Sequence, residues 1–184
     1  MGMAIAIQVP RFTIDDLDHF PDDGNRYELL DGMLLVTPGP ALSHQVIANR
    51  IQARLTIALE MTGHAFVVGP GVVVRTPRTQ LQPDILVYPS RFGPDSDWSE
   101  ITESWLAVEV LSRSSRVYDR EFKRDAYFAL GVKHVWLVDR REKSIEVSDA
   151  PGTCEVVRDT IRWRVAALDL IVSISVDEVF AGLA

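Results

Sequence analysis

The sequence predicts an α/β protein in which helices pack against a mixed β-sheet. Short apolar segments of strand composition are interrupted by two segments with helical spacing, and turn residues separate them. Two of the strand segments, residues 85–88 and 105–111, are apolar over almost their whole length, as expected for strands buried on both faces. The chain has 184 residues without an internal repeat or linker, so we expect one domain over residues 1–184.

The N-terminal half of the chain is predicted to contain two helices and two pairs of strands. Thr13, followed three residues later by Asp16, is typical of a helix start. Asp31-Gly32 between two apolar runs is a strong signal for a two-residue hairpin. Gly63 ends a long run of apolar residues at helical spacing. The predicted elements are helix 11–20, strands 26–30 and 33–36, helix 41–61, and strands 65–68 and 72–75.

The C-terminal half is predicted to consist mainly of strands arranged around one further helix. Residues 89–104 are rich in Pro, Asp, Ser and Glu and predict a polar loop. Gly131 closes the helix, and residues 139–142 form a turn between two strands. The predicted elements are strands 85–88 and 105–111, helix 119–130, strands 134–138, 144–147, 154–157 and 171–174, and a short helix near 176–180.

Composition and charge restrict the class of protein. The single cysteine, Cys154, excludes internal disulfides and a cysteine-based zinc site, and a cytoplasmic location is the expectation. No apolar run approaches the roughly 18–20 residues of a membrane span, so we expect no membrane association. The net charge of −7 argues against a general nucleic-acid coat protein, although an enzyme with a local basic face remains compatible with it.

Two carboxylates stand in or beside apolar strands, where an acidic side chain is out of place. Asp84 directly precedes one buried strand segment, and Glu109 lies inside the next. A buried, unpaired carboxylate costs several kcal/mol, so such groups are normally neutralised, paired or bound to a metal. Lys123 follows on the next predicted helix and adds a positive charge. This combination is the outline of a metal-dependent phosphodiesterase site.

The order of the sequence blocks around these residues resembles a known family. Pro83-Asp84 is followed by a strand ending in Glu-Val-Leu-Ser, then by a Tyr-Asp-x-x-x-Lys-x-x-x-Tyr helix over residues 118–127, then by Gly-Val-x-x-x-Trp-Leu-Val-Asp over residues 131–139. Together with the Tyr-Glu-Leu-Leu-Asp-Gly segment at residues 27–32, this pattern resembles the Uma-two family of restriction endonucleases. That family is a branch of the PD-(D/E)XK nuclease superfamily.

The resemblance implies a restriction-endonuclease-like core with an additional N-terminal hairpin and additional C-terminal strands. It also implies that Asp84 and Glu109 are metal ligands, and a carbonyl such as that of Val110 would complete the protein's set. In the superfamily pattern a lysine lies two residues after the second acid, where this chain has Leu111. Lys123 matches the helical lysine of this branch, and its expected role is to orient the attacking water or to stabilise developing charge.

Glu28 is a third acid in an apolar strand, within Tyr-Glu-Leu-Leu. It is either a further catalytic member of the site or the partner of Arg26 or Arg75 at a sheet edge. His44, near the start of the long helix, is interpreted as a residue hydrogen-bonded to a neighbour in preference to a phosphate contact.

Four basic residues recur at helical spacing around Lys123, and they permit two interpretations. They form a basic stripe over the site that meets a phosphate backbone, or they belong to a solvated face on which acids alternate with them. The four are Arg116, Arg120, Lys123 and Arg124.

The leading hypothesis is a Mg²⁺-dependent endonuclease that hydrolyses phosphodiester bonds in DNA, with Mn²⁺ suited to the same oxygen ligands. The first alternative is a catalytically inactive, nucleic-acid-binding or regulatory module of the same fold. The second is a protein-interaction scaffold in which arginines neutralise the acids. We also expect a homodimer, because cutting both strands of a duplex needs two sites, with the apolar C-terminal strands as a candidate interface.

Overall fold

The computed structural model describes residues 11–112 and 119–183. Its helices are α1 (Ile14–Leu17), α2 (Leu42–Leu55), α3 (Arg124–Ala129) and α4 (Val176–Phe180). Its strands are β1 (Arg26–Leu30), β2 (Met33–Thr37), β3 (Ala65–Val68), β4 (Val73–Thr76), β5 (Thr79–Leu81), β6 (Ile85–Pro89), β7 (Ser104–Val110), β8 (Val132–Asp139), β9 (Ser144–Ser148), β10 (Glu155–Val157), β11 (Thr160–Val165) and β12 (Leu170–Ser175). One turn of π-helix follows α2 and another precedes α3, over Thr56–Glu60 and Asp119–Lys123.

The largest sheet of the fold has six strands in the order β10-β9-β8-β7-β6-β3. Strands β7 and β8 are parallel and are connected through α3, whereas the other neighbours are antiparallel. A second sheet has the order β2-β1-β5-β4, and β11 pairs with β12 in a third. The predicted α/β class with a mixed sheet flanked by helices is therefore confirmed, and the N-terminal hairpin belongs to the second sheet, together with β4 and β5.

The two central strands separate two hydrophobic clusters. Every residue of β6 and β7 is buried, as predicted for strands covered on both faces. Because side chains alternate along a strand, Ile85 and Val87 join the cluster beneath α2, whereas Leu86 and Tyr88 join the cluster that contains Tyr127 of α3. The second face is the one that carries the candidate site.

Local sequence signals agree with the observed N-terminal elements. The Thr13 backbone N–H and hydroxyl both donate to Asp16, at 2.7 and 2.9 Å, which gives α1 the predicted capping box. Asp31 and Gly32 have φ values of +47° and +78°, as a two-residue hairpin of the predicted kind requires. The long helix 41–61 is observed as α2 and its π-helical turn.

Two strands were not predicted, namely β5 and β11. Strand β5 forms a hairpin with β4 and also pairs with β1. Strand β11 pairs with the predicted strand β12. Across the described ranges, no helix is long and apolar enough to cross a membrane.

Candidate active site

Asp84 and Glu109 lie on neighbouring antiparallel strands and face the same side of the six-stranded sheet. Ile85 pairs with Val108 and Leu86 pairs with Ala107. Asp84 directly precedes Ile85, and Glu109 directly follows Val108. The same antiparallel register therefore puts Asp84 opposite Glu109. The backbone N–H of Val110 donates to Asp84 Oδ2 at 2.8 Å, so the end of β7 fixes this carboxylate directly.

Asp84 is held by two basic side chains from outside its own strand. Arg26 Nη2 donates to Asp84 Oδ1 at 3.0 Å, and His44 Nε2 lies 3.0 Å from Oδ2. Burial alone raises the pKa of this carboxyl, but the hydrogen bond and charge of His44, the charge of Arg26 and the Val110 amide outweigh it. The pKa of Asp84 is therefore lowered, and the carboxylate form is favoured.

The ring of His44 has one nitrogen directed at Asp84 and one without a partner. Its Nε2 lies 3.0 Å from Asp84 Oδ2. Its Nδ1 is buried and, among the residues that the structure describes, finds no hydrogen-bond partner.

Glu109 and Glu28 are joined by one buried lysine. Lys123 Nζ lies 2.7 Å from Glu28 Oε2 and 3.2 Å from Glu109 Oε1, and the three residues are 4%, 0% and 3% exposed. The Tyr127 hydroxyl donates to Glu109 Oε1 at 2.5 Å. Glu28 also accepts from the backbone N–H of Gln82 at 2.7 Å. A charge-assisted network of this kind fixes every member, since each side chain has an ionic or hydrogen-bonding partner in the interior.

The connection between the parallel strands β7 and β8 places Lys123 beside Glu28 and Glu109. Lys123 ends the π-helical turn before α3, and Tyr127 lies four residues further on, one helical turn away on the same face. Glu28 arrives from β1, in the four-stranded sheet. The site is therefore assembled where the two sheets and the α3 connection meet.

These side chains line a cleft of about 900 Å³. Asp84, Glu109, Lys123 and Arg26 all contribute to its lining. The lining also includes the uncharged loop of residues 37–41, which leads into α2, and the turn after β8, within residues 139–143. The acids are thus reachable from a cleft whose lining contains further basic residues.

The cleft fits a hard divalent cation by the chemistry of its donors. Mg²⁺ prefers oxygen ligands and is commonly held by one or two carboxylates with water completing its shell. Asp84 and Glu109 supply two carboxylates, and Glu28 is a third nearby. Within the described ranges, Arg26 and Lys123 oppose these acids as cations. Among the described residues, no group of three or more His, Cys, Asp or Glu side chains is gathered tightly enough to hold a metal alone.

The structure brings together the four residues predicted as catalytic, Glu28, Asp84, Glu109 and Lys123. Their roles, and the role of the Val110 carbonyl as a ligand, stay predictions. Glu28 contacts Lys123, and Arg26 contacts Asp84 instead. The side chain of Arg75, the other suggested partner of Glu28, lies outside the described residues.

Of the two interpretations of the basic residues around Lys123, a basic stripe over the site does not agree with the contacts of the described members. Arg120 donates to the buried Asp139 at 2.8 Å and also to Glu146, and Lys123 is buried within the site. Arg124 lies 3.6 Å from Asp125 on its own helix. Arg116 lies outside the described residues.

The pairing of Arg26 with Asp84 and the contact of His44 with Asp84 were not foreseen. Each depends on the packing of distant segments, since 58 positions separate Arg26 from Asp84. Tyr127 lies at i+4 from Lys123 in a helix and therefore on the same face, and this spacing indicated its place beside the lysine.

Comparison with known proteins agrees with this architecture. Residues 14–176 match the model of the Uma2 family, described as "Putative restriction endonuclease". The chain is similar in structure to a protein described as "a putative nuclease belonging to DUF820 from Anabaena variabilis", with a TM-score of 0.76. The two are 18% identical, and the match covers 92% of this chain and 98% of the other, so this likeness concerns the fold.

No match was found among curated proteins. The family match runs from α1 to the start of α4 and therefore includes every element that contributes to the cleft. On this evidence the chain belongs to the Uma2 family, the Uma-two family that its sequence blocks resemble.

Proposed function

We propose that this protein is a metal-dependent endonuclease that hydrolyses phosphodiester bonds in DNA, with Mg²⁺ as its cation and Mn²⁺ as a substitute. One observation carries the proposal. Two carboxylates at paired positions of adjacent strands, Asp84 and Glu109, share a cleft with a buried lysine, Lys123. The single cysteine of the chain is in keeping with work in the reducing cytoplasm.

Each side chain has a distinct part in the proposed reaction. Asp84 and Glu109 would hold the cation together with the Val110 carbonyl. Bound Mg²⁺ would neutralise the scissile phosphate and lower the pKa of the attacking water. Lys123 supplies a compact positive charge beside the reacting oxygens, and Glu28 fixes the position of its ammonium group.

The remaining partners hold these groups in place. Arg26 and the Val110 amide fix the orientation of the Asp84 carboxylate, and the Tyr127 hydroxyl fixes that of Glu109. Preorganised charges of this kind need little rearrangement when charge develops on the substrate, and this is the main source of electrostatic catalysis.

A second candidate function also rests on a specific contact. Lys123 bridges Glu28 and Glu109, and Arg26 pairs with Asp84, so the protein itself neutralises most of the acidic charge. A nucleic-acid-binding module without turnover, or a scaffold, would show the same ion pairs. The two candidates differ in whether the folded protein binds the cation and cuts DNA.

The test compares the parent protein with D84N and E109Q in three measurements. These are Mg²⁺ and Mn²⁺ titration by calorimetry, thermal unfolding with and without metal, and nicking of supercoiled plasmid. D169N is the matched control, because Asp169 pairs with Arg164 in an exposed ion pair remote from the cleft. We expect cation binding in the parent and in D169N, with a rise in melting temperature, since a ligand of the folded state stabilises it.

Nicking should follow the same pattern, present in the parent and D169N and reduced by at least about a hundredfold in D84N and E109Q. A D84N variant that nicks plasmid as fast as the parent would exclude the proposed site. If the parent binds metal but does not nick plasmid, the module without turnover is favoured. If neither metal changes the melting temperature, the scaffold is favoured.

A further inference from the structure

The turn after β8 carries three basic residues on the rim of the cleft. We call Arg140, Arg141 and Lys143 the basic turn. All three line the cleft that contains Asp84, and their side chains are exposed. They stand out because the chain as a whole has a net charge of −7, which repels a polyanion.

The basic turn is anchored from below by a buried carboxylate. Asp139 is 1% exposed, and its Oδ1 accepts from the backbone N–H of Arg141 at 2.9 Å and of Glu142 at 3.1 Å. Its other oxygen accepts from Arg120. These contacts fix the backbone of the turn. The side chains of Arg141 and Lys143 are therefore attached to a backbone that is held in place.

A second anchor ties the basic turn across the cleft. Arg140 Nη1 donates to Ser43 Oγ at 2.9 Å, and Ser43 lies in the first turn of α2, next to His44. The basic turn is thus fixed relative to the helix that carries the partner of Asp84. Residues 37–41, which also line the cleft, contain no charged side chain, so the exposed cations of its lining lie in the basic turn.

We infer that the basic turn binds the sugar-phosphate backbone of DNA on one side of the phosphate to be cut, with Arg141 and Lys143 each contacting a phosphate. This inference rests on the proposed function and names the surface that positions its substrate. Exposed cations on a rigid turn add affinity without reading bases, because phosphates are common to every sequence.

The test measures binding without cutting. The affinity for a labelled duplex of about 20 base pairs is determined by fluorescence anisotropy in EDTA, at salt concentrations from about 50 to 200 mM. The variant is R141E/K143E, and the matched control is R158E/R162E, which changes net charge by the same amount at exposed positions outside the cleft lining. The backbone hydrogen bond of residue 141 is kept in R141E/K143E.

We expect R141E/K143E to weaken binding at least about tenfold and to reduce the slope of log K against log salt by about 1.8, the value for two lost phosphate contacts. The control should change affinity less than about twofold. Equal weakening in both variants would overturn the inference, since the effect would then be one of net charge, and so would an unchanged slope in R141E/K143E.

Plasmid nicking with Mg²⁺ separates this inference from the proposed function. If the parent protein nicks DNA and R141E/K143E binds and nicks as well as the parent, the role of the basic turn is overturned. The endonuclease proposal then still stands. A parent that does not nick, but whose affinity depends on Arg141 and Lys143 as expected, would support the surface and exclude the endonuclease. A parent without measurable affinity would overturn the inference.

Discussion

At the scale of single residues, the site consists of buried acids that pair with cations from other segments of the chain. Glu28, Glu109 and Asp84 are almost completely inaccessible, and each contacts a basic side chain. Burying a charge costs several kcal/mol unless it is paired and hydrogen-bonded. Stability and the proposed function therefore depend on the same contacts here, and a variant must be tested for both.

Removal of Lys123 should show this dependence most clearly. K123A leaves Glu28 and Glu109 facing each other without their shared cation, so we expect a loss of about 3–5 kcal/mol in the free energy of unfolding. Urea denaturation measures it. K133A, at an exposed position of β8, is the control and should change stability by less than about 0.5 kcal/mol. A K123A variant as stable as K133A would show that the buried cluster does not need its lysine.

The pKa of Asp84 predicts a contribution to stability that disappears in acid. Its folded pKa is below the ordinary value of 3.8, because hydrogen bonds and charge from His44 and Arg26 outweigh burial. The contribution is complete above the ordinary value and is lost as pH falls through the lower, folded value. The stability difference between the parent and D84N should therefore shrink between about pH 5 and pH 2. A difference that stays constant over this range, measured by urea denaturation without metal, would contradict the prediction.

The acids of the site and Lys123 were predictable from sequence, whereas the partners of Asp84 were not. An Asp and a Glu in segments otherwise made of Val, Leu and Ile conflict with local patterning, and such conflicts occur at functional sites. The contact of His44 with Asp84 has no comparable signal, because an amphipathic helix start explains His44 equally well. Only the docking of α2 against the end of β7 brings the two together.

At the scale of elements, the register of β6 against β7 places the two acids, and the turn before β4 supports that register. Gly71 donates from its backbone N–H to Pro83 at 3.0 Å, directly before Asp84. A Cβ atom at Gly71 would lie 2.3 Å from the Cβ of Leu86, which is closer than atoms pack. The chain therefore needs glycine here for a close approach of backbones.

Replacement of this glycine should disturb stability and the site together. We expect G71A to lower the free energy of unfolding by about 1–3 kcal/mol, because the new methyl group overpacks the interface with β6. Plasmid nicking should fall as well, since Pro83 and Asp84 must move with the strand. If G71A is as stable as the parent and nicks plasmid as fast, the turn before β4 can accommodate the methyl group and does not hold Asp84 in place.

The two strands missing from the sequence prediction differ in how they could have been found. Strand β5 has only three residues and gives no period to detect. In β11, Ile161, Trp163 and Val165 are buried and alternate with Arg162 and Arg164, which is the pattern of a half-buried strand. The signal was present there, whereas β5 depends on pairing with β1.

At the scale of the whole molecule, few exposed apolar side chains lie on the C-terminal strands that were predicted as a candidate dimer interface. The apolar side chains of the C-terminal hairpin pack into the core of this chain, among them Trp163, Val172 and Ile174. Its outer face carries Arg162 and Arg164, with Ile171 as an exposed apolar residue. These strands therefore complete the fold and offer little apolar area for a partner.

We still expect a dimer, because a duplex has two strands to cut and two-fold symmetry suits it. Light scattering on the parent should give about twice the mass of 20.6 kDa, at least with duplex DNA present. We expect I171E to leave that mass unchanged, because the hairpin exposes little apolar area. A monomer under both conditions would contradict the dimer, and a mass reduced by I171E would restore the hairpin as its interface.

The junction of two sheets at the cleft has a consequence for the life of the chain in the cell. Lys123 and Glu28 meet across 95 positions of sequence, and Arg26 and Asp84 meet across 58. A ribosome-bound chain that has released only its first hundred residues lacks the lysine altogether. Under the proposed function, the chain cannot cut DNA until the segment that carries Lys123 has been synthesised and has packed against β1.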